Sequence, residues 1–276
     1  MRSSLPIIER AKPLLGTYVR LRVQGLASER AQEAMDKAFG EIGRIHTLMS
    51  FHEPDSDVSR LNREAHRGTV RVDTLTAEVL TQALRLSDES EGVFDITVAP
   101  QLVSAGLLPR PSAPAPDPNA SWRDIALLPD TCVRFRRPLW IDLGGIAKGF
   151  AVDRAVEVLL SFGAKQVCVN AGGDLRVAGP GGEAVKLQGG DDERFLPVLE
   201  IADGSLASSR GGHFERVHRR PARADRFVSV MAPRCIDADG LAKVVMIEGR
   251  RAEALLRRHG ARAVFHEPGS GWSEVA

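Results

Sequence analysis

Apolar and polar residues alternate through YVRLRVQG (residues 18–25), the period of a strand buried on one face. The next stretch, ASERAQEAMDKAFGEIGRIHTLMS, switches to apolar residues at helical spacing, which predicts a helix directly after that strand. HEPDSD is polar and turn-rich. TLTAEVLTQALRLSDES then predicts a second helix, with Thr74 or Thr76 as its N-cap and an end at the loop holding Gly92. Further along, PLWIDL predicts a short strand, followed by a Gly-rich turn and a helix over GFAVDRAVEVLLSFG. KQVCVNAGGDLRVAG reads as a strand running into a glycine turn, RFVSVMAP as a strand, and DGLAKVVMI and RRAEALLRRHG as helical. Residues 109–120, PRPSAPAPDPNA, hold five prolines and no apolar periodicity, so they predict an extended surface loop without a functional role. Strands and helices alternate only loosely, with no clean βαβ rhythm and no solenoid repeat. The pattern therefore predicts an α+β fold in one continuous domain rather than a doubly wound sheet.

Composition narrows the class of partner. The 276 residues are 43% hydrophobic, enough for a sizeable buried core. Lys plus Arg number 37 against 36 Asp plus Glu, so no global field draws the chain to nucleic acid or anionic lipid, and a specific ligand is the expected partner. No run of about 18 apolar residues occurs. The opening residues lack an apolar signal core and a small-residue cleavage site, so the sequence as written reads as cytoplasmic. Cys132, Cys168 and Cys235 are too few and too scattered for a disulfide framework or a zinc site.

Four segments carry candidate chemistry. In IDLGGIAKGFAVDR (141–154) a strand ends on an acid, two glycines free the backbone, and Lys148 sits just before a helix. Gly144 and Gly145 would let a phosphate approach, with Lys148 as its counter-charge, although the same pattern also suits a plain tight turn with a solvated lysine. Neither a Walker A loop nor a dinucleotide fingerprint is present. In EGVFDITVAP, Asp95 stands among bulky and β-branched residues, where a carboxylate needs partners: a ring imide, a ribose hydroxyl or a nearby turn that it caps. VNAGGDLRVAG places Asn170, Gly172, Gly173 and Asp174 at a strand end. MSFHEPDSDVSRLN combines Phe51 and His52 with Ser50, Ser56, Ser59 and Asn62.

The joint order of LGTYVRL, MSFHEPDSDVSRLN, VFDITVAP, IDLGGIAKGFAVDR, VNAGGDL and MAPRCIDADGLAK resembles the ApbE family, over residues from about 14 to about 247. On that likeness, residues 1–13 form an N-terminal extension and 14–276 a flavin-transferase domain, for which the resemblance suggests two similar T-fold-like halves. The resemblance implies an enzyme that takes FAD and Mg²⁺, attaches FMN through a phosphoester to a threonine of an acceptor protein, and releases AMP; some relatives only hydrolyse FAD to FMN and AMP. It also implies that Leu15, His52, Val93, Phe94, Asp95, Asp142 and Lys148 contact FAD. Magnesium ligands are implied at a backbone carbonyl of Gly145 or Ala147 and at the acid and threonine of an A-D-x-x-x-T pattern. This chain reads ADGLAK, which keeps Asp239 and puts Lys243 at the threonine position. A protonated lysine cannot ligate Mg²⁺, so Lys243 either swings to solvent or replaces the metal's charge. The family's histidine and D-P-x-T-G turn, associated with phosphoryl transfer, are replaced by GGHFERVHRRPARADRF, where His213 and His218 are the possible substitutes. Family members often work outside the cytoplasmic membrane, so the resemblance leaves a periplasmic association open.

Overall fold

Residues 6–187, 196–211, 226–267 and 269–276 are described by a computed structural model of the chain. In order they form β1 (Ile8–Leu14), β2 (Thr17–Gln24), α1 (Ser28–Met49), α2 (Asp57–Glu64), β3 (Val70–Arg71) and α3 (Thr74–Glu89). A 3₁₀ turn (Ile96–Val98) leads into α4 (Ala99–Ser104), and a second one (Trp122–Asp124) into β4 (Ile125–Leu128) and β5 (Cys132–Phe135). Then come α5 (Ala147–Ser161), β6 (Gln166–Ala171), β7 (Asp174–Lys186), β8 (Val198–Arg210), β9 (Phe227–Ala232) and α6 (Cys235–Glu248). A further 3₁₀ turn (Gly249–Ala252), α7 (Glu253–Arg258), β10 (Arg262–Glu267) and β11 (Gly271–Val275) close the chain. Among the described residues every strand pair is antiparallel, and helices and strands are mixed without crossover units, so the class is α+β as the pattern predicted.

Two compact units divide the chain. One comprises the residues before Ile45, Lys148–Arg210 and the C-terminal part from β9 onward. Its eight-stranded sheet runs β1-β2-β6-β7-β8-β9-β10-β11. β6 explains why some of these strands read as continuous apolar runs: Val167, Val169 and Ala171 are fully buried on one face, while Cys168 joins Leu175, Val177, Leu206 and Val264 in a second apolar cluster on the other. Helix α6 lies against β8 and β9 and is buried nearly all round, with Ala238, Leu241, Ala242, Val245 and Met246 at or near zero exposure. Asp239 and Lys243 are the charged residues mid-helix, and a charge so placed must find a partner.

The second unit holds Ile45–Ala147. It contains α2, α3, α4 and the three-stranded sheet β3-β5-β4. The segment HEPDSD runs into α2 at its last residue, Asp57, and its Ser56 caps the helix by accepting from Ser59 N–H at 3.0 Å. Helix α3 is capped not by Thr74 or Thr76 but by Asp73, which accepts from Leu75 N–H at 2.9 Å. Thr76 is instead buried and donates to Asp57. PLWIDL is not a strand. Its backbone groups are satisfied elsewhere: Ile141 N–H donates to Asn62 Oδ1 at 2.8 Å, Asn62 Nδ2 donates to the Ile141 carbonyl at 3.1 Å, and Asp142 N–H donates to the Ile96 carbonyl at 2.8 Å. A side-chain amide thus does the work of a neighbouring strand. Residues 109–120 have no helix or strand, as expected, yet Trp140 Nε1 donates to the Pro114 carbonyl at 2.8 Å and Asp117 N–H to that of Pro138 at 2.8 Å, which ties the loop down.

Candidate functional site

The polar motifs fall into two groups, one in each unit. The first is assembled by α5, α6 and the turn between β6 and β7. Lys148 is the second residue of α5 rather than a residue ahead of it, so its backbone belongs to the first helical turn. Its Nζ lies 2.7 Å from Oδ2 of Asp174, the first residue of β7. Asp174 is placed by the Gly172–Gly173 turn, where Gly173 N–H donates to Asn170 Oδ1 at 3.0 Å. Gly172 sits at φ +65°, and a Cβ there would come within 2.6 Å of Thr17 Oγ1. This close approach sets the β1–β2 hairpin turn beside the turn that delivers Asp174. Leu15 occupies that hairpin turn at φ +54°, an unfavourable conformation for a branched side chain.

Asp239 stands on the second turn of α6 and is fully buried. Its Oδ2 accepts from Gly149 N–H at 3.0 Å, and its Oδ1 is paired with the Lys243 ammonium one helical turn on. Gly149 is required here, because a Cβ would stand 2.3 Å from the Cys235 carbonyl oxygen and 2.8 Å from Asp239 Cβ. The two helices therefore cross at backbone contact. Asp153, one turn further along α5, completes the crossing. Arg234, the N-cap of α6, makes no side-chain capping bond, and the Asp153 carboxylate serves instead, accepting from Cys235 N–H and Ile236 N–H at 2.9 Å each and from Arg176 Nη1 at 2.9 Å. Burial raises the Asp153 carboxyl, against the lowering pull of those amides and of Arg176.

Electrostatically the cluster is tightly coupled. Burial works against the charge on Lys148, but the Asp174 and Asp239 carboxylates outweigh it and hold the ammonium above the ordinary lysine range. Burial, and then Asp239, push the Asp174 carboxyl up, while Lys148 and Lys243 draw it down. Asp174 Oδ1 is buried with no hydrogen-bond partner among the described residues. Burial also pushes the Cys235 thiol well above its usual range, and Cys168 is pushed up to about 11, so both are inert packing thiols.

The second group belongs to the other unit. Asp142 N–H on the Ile96 carbonyl brings the Asp142 and Asp95 segments together. Asp95 is not in a strand: it is the N-cap of the 3₁₀ turn, and its Oδ1 accepts from Thr97 N–H at 2.8 Å and Thr97 Oγ1 at 2.7 Å. The capping reading of Asp95 thus describes its local role. Phe94 is buried, Val93 half-buried and His52 exposed. Asp142 accepts from Gly144 N–H at 3.1 Å; burial raises its carboxyl, opposed by that amide and by His52. Gly145 lies in the turn before α5, and Ala147 is that helix's first residue. His213 and His218 lie outside the described residues.

A family model described as "ApbE family" matches residues 15–265. The chain belongs to the ApbE family. Among curated relatives, the FAD:protein FMN transferase of Vibrio cholerae is 28% identical, over 86% of this chain and 80% of the relative. That of Treponema pallidum is 27% identical, over 94% and 84%. Among solved structures, flavin transferase ApbE from Vibrio cholerae superposes with a TM-score of 0.82 at 24% identity, covering 99% of this chain and 97% of the other. The apo form of the Pseudomonas stutzeri flavinyl transferase ApbE gives 0.82 at 20% identity, covering 100% and 96%. These superpositions establish the ApbE fold for this chain.

Within this ApbE chain the donor set does not fit a divalent metal. Both Asp239 oxygens are engaged, one by an amide and one by Lys243, and the hydroxyl that would complete the set is replaced by that lysine. An ammonium on the same carboxylate would stand about 4 Å from such an ion, a repulsion of roughly 8 kcal/mol at an effective dielectric constant of 20. Two residues of this cluster carried no assigned role on sequence grounds. Asp174 looked like part of a glycine turn, and Asp153 was simply one residue of the helix GFAVDRAVEVLLSFG. Their partners lie on other elements, and only the acidic character at a strand start and in a buried helix stripe signalled them.

Proposed function

We propose that this chain is an FAD:protein FMN transferase. The observation that carries the reading is the cluster of half-buried Lys148 and Lys243 on buried Asp174 and Asp239, assembled from three of the six motifs that mark the family. Two ammonium groups, each paired with a buried carboxylate, hold N–H donors in fixed positions from which a pyrophosphate can be bound, and fixed groups cost no reorganisation when the ligand arrives. Lys148, kept protonated by its acidic neighbours, offsets the pyrophosphate. The flavin, ribose and adenine groups are assigned to Leu15, His52, Val93, Phe94, Asp95 and Asp142, with Phe94 and Leu15 as apolar walls and the carboxylates as acceptors.

In the reaction, the threonine hydroxyl oxygen of an acceptor protein attacks the FMN phosphorus. The bond from that phosphorus to the bridging oxygen breaks, AMP leaves with that oxygen, and the hydroxyl proton passes to a base. His213 and His218 are the proposed bases. Gly145, Ala147 and Asp239 were the positions for Mg²⁺, and with Lys243 on Asp239 no step is routed through a metal. No helix among the described residues is long and apolar enough to cross a membrane.

Incubation with FAD and acceptor proteins, with AMP and FMN resolved by chromatography and the acceptor by mass spectrometry, tests the reading. Transfer gives AMP together with a flavin-bearing threonine. AMP and FMN without acceptor modification would make the chain a pyrophosphatase. Intact FAD bound without turnover would make it a flavin carrier; either result overturns the proposal.

A further inference from the structure

Lys243 is held in place by packing rather than left at the surface. Its neighbours Leu241, Ala242, Val244 and Val245 are buried, its side chain is only 13% exposed, and its ammonium reaches the fully buried Asp239. Together with Lys148 on Asp174 it makes a cluster of two carboxylates and two ammonium groups, with the charges balanced inside one compact unit. Asp174 Oδ1 is buried and has no hydrogen-bond partner among the described residues. Removing either lysine would leave a buried carboxylate without its counter-charge, and a small hydroxyl at position 243 would open Asp239 Oδ1 to another cation.

We propose that Lys243 takes the place of a divalent cation, so that this chain binds the FAD pyrophosphate through two fixed ammonium groups and needs no magnesium. The ligand in this inference rests on the transferase reading; the statement about metal does not. An ammonium brings one charge where magnesium brings two, so the pyrophosphate is neutralised less fully and turnover is slower than in a metal-loaded site.

The test has two arms on the full chain. Flavin fluorescence measures FAD affinity in EDTA and in excess magnesium, and paramagnetic resonance measures Mn²⁺ bound by the protein without FAD. Wild type is expected to bind FAD with affinities within about twofold in the two buffers and to hold no stoichiometric Mn²⁺. Lys243→Thr is expected to lose about tenfold or more in FAD affinity in EDTA, to recover it with magnesium, and to bind one Mn²⁺ that Asp239→Asn in the same background removes. Lys243→Met, which keeps the packed stem and lacks both charge and hydroxyl, should lose FAD affinity without recovery by metal, and circular dichroism checks that each variant folds. FAD binding by wild type that collapses in EDTA, or stoichiometric Mn²⁺ on wild type, overturns the substitution and leaves the transferase reading intact. No FAD binding in either buffer sinks the transferase reading, and the Mn²⁺ comparison of wild type with Lys243→Thr then decides the inference alone.

Discussion

Gly149→Ala sets two known effects against each other at the crossing of α5 and α6. Alanine in a helix is favoured over glycine by about 1 kcal/mol, so propensity alone predicts a more stable protein. The contacts predict the opposite. A Cβ at this position would stand 2.3 Å from the Cys235 carbonyl oxygen, 2.7 Å from its carbon and 2.8 Å from Asp239 Cβ, and the first two are backbone atoms that cannot rotate away. The helices must part, which places the cost near the upper end of core overpacking, about 3 kcal/mol. The net is then a loss of about 2 kcal/mol, or a fall in Tm of roughly 4–8 °C for a chain of this size. Separation also lengthens the 3.0 Å bond from Gly149 N–H to Asp239 and the two amide bonds to Asp153, so FAD affinity should fall along with stability. Calorimetry or urea unfolding, with flavin fluorescence on the same samples, gives both quantities. An alanine variant as stable as wild type, with FAD binding intact, would refute the argument that backbone contact at this crossing builds the cluster.

Asp153→Asn keeps the shape and removes the charge that caps α6 and pairs with Arg176; the amide can still accept from one of Cys235 N–H and Ile236 N–H, and unfolding should show a loss of about 3 kcal/mol. Asn62→Ala leaves the buried N–H and carbonyl of Ile141 unpaired, at about 2–4 kcal/mol, and frees the segment carrying Asp142; urea unfolding checks the first effect and proteolysis within 139–147 the second.

Legibility in the sequence followed the reach of each interaction. The alternation in YVRLRVQG and the helical period of the next stretch placed β2 and α1 almost to the residue, since each has one buried and one exposed face. PLWIDL has the composition of a strand but lies apart from any sheet, because Asn62, 79 residues away, supplies its hydrogen bonds. Asp95, flanked by strand-forming residues, caps a 3₁₀ turn through Thr97, a contact only two residues long, so the capping option was legible in the sequence while the strand around it was not formed. Thr74 and Thr76 were plausible caps for α3, yet Asp73 begins it, and Thr76 is spent inside on Asp57.

By itself the sequence determined the α+β class, the family, and the presence of a lysine where the family pattern has a hydroxyl. Those follow from local periodicity and from motif order, which survive without coordinates. What Lys243 does was decided by the tertiary structure: α6 is buried on nearly every side, Gly149 lets α5 approach to backbone contact, and the carboxylate one turn away compensates the charge held there. The same holds for Asp153 and Asp174, whose roles arise from partners on other elements and from the cost of leaving a buried charge unpaired.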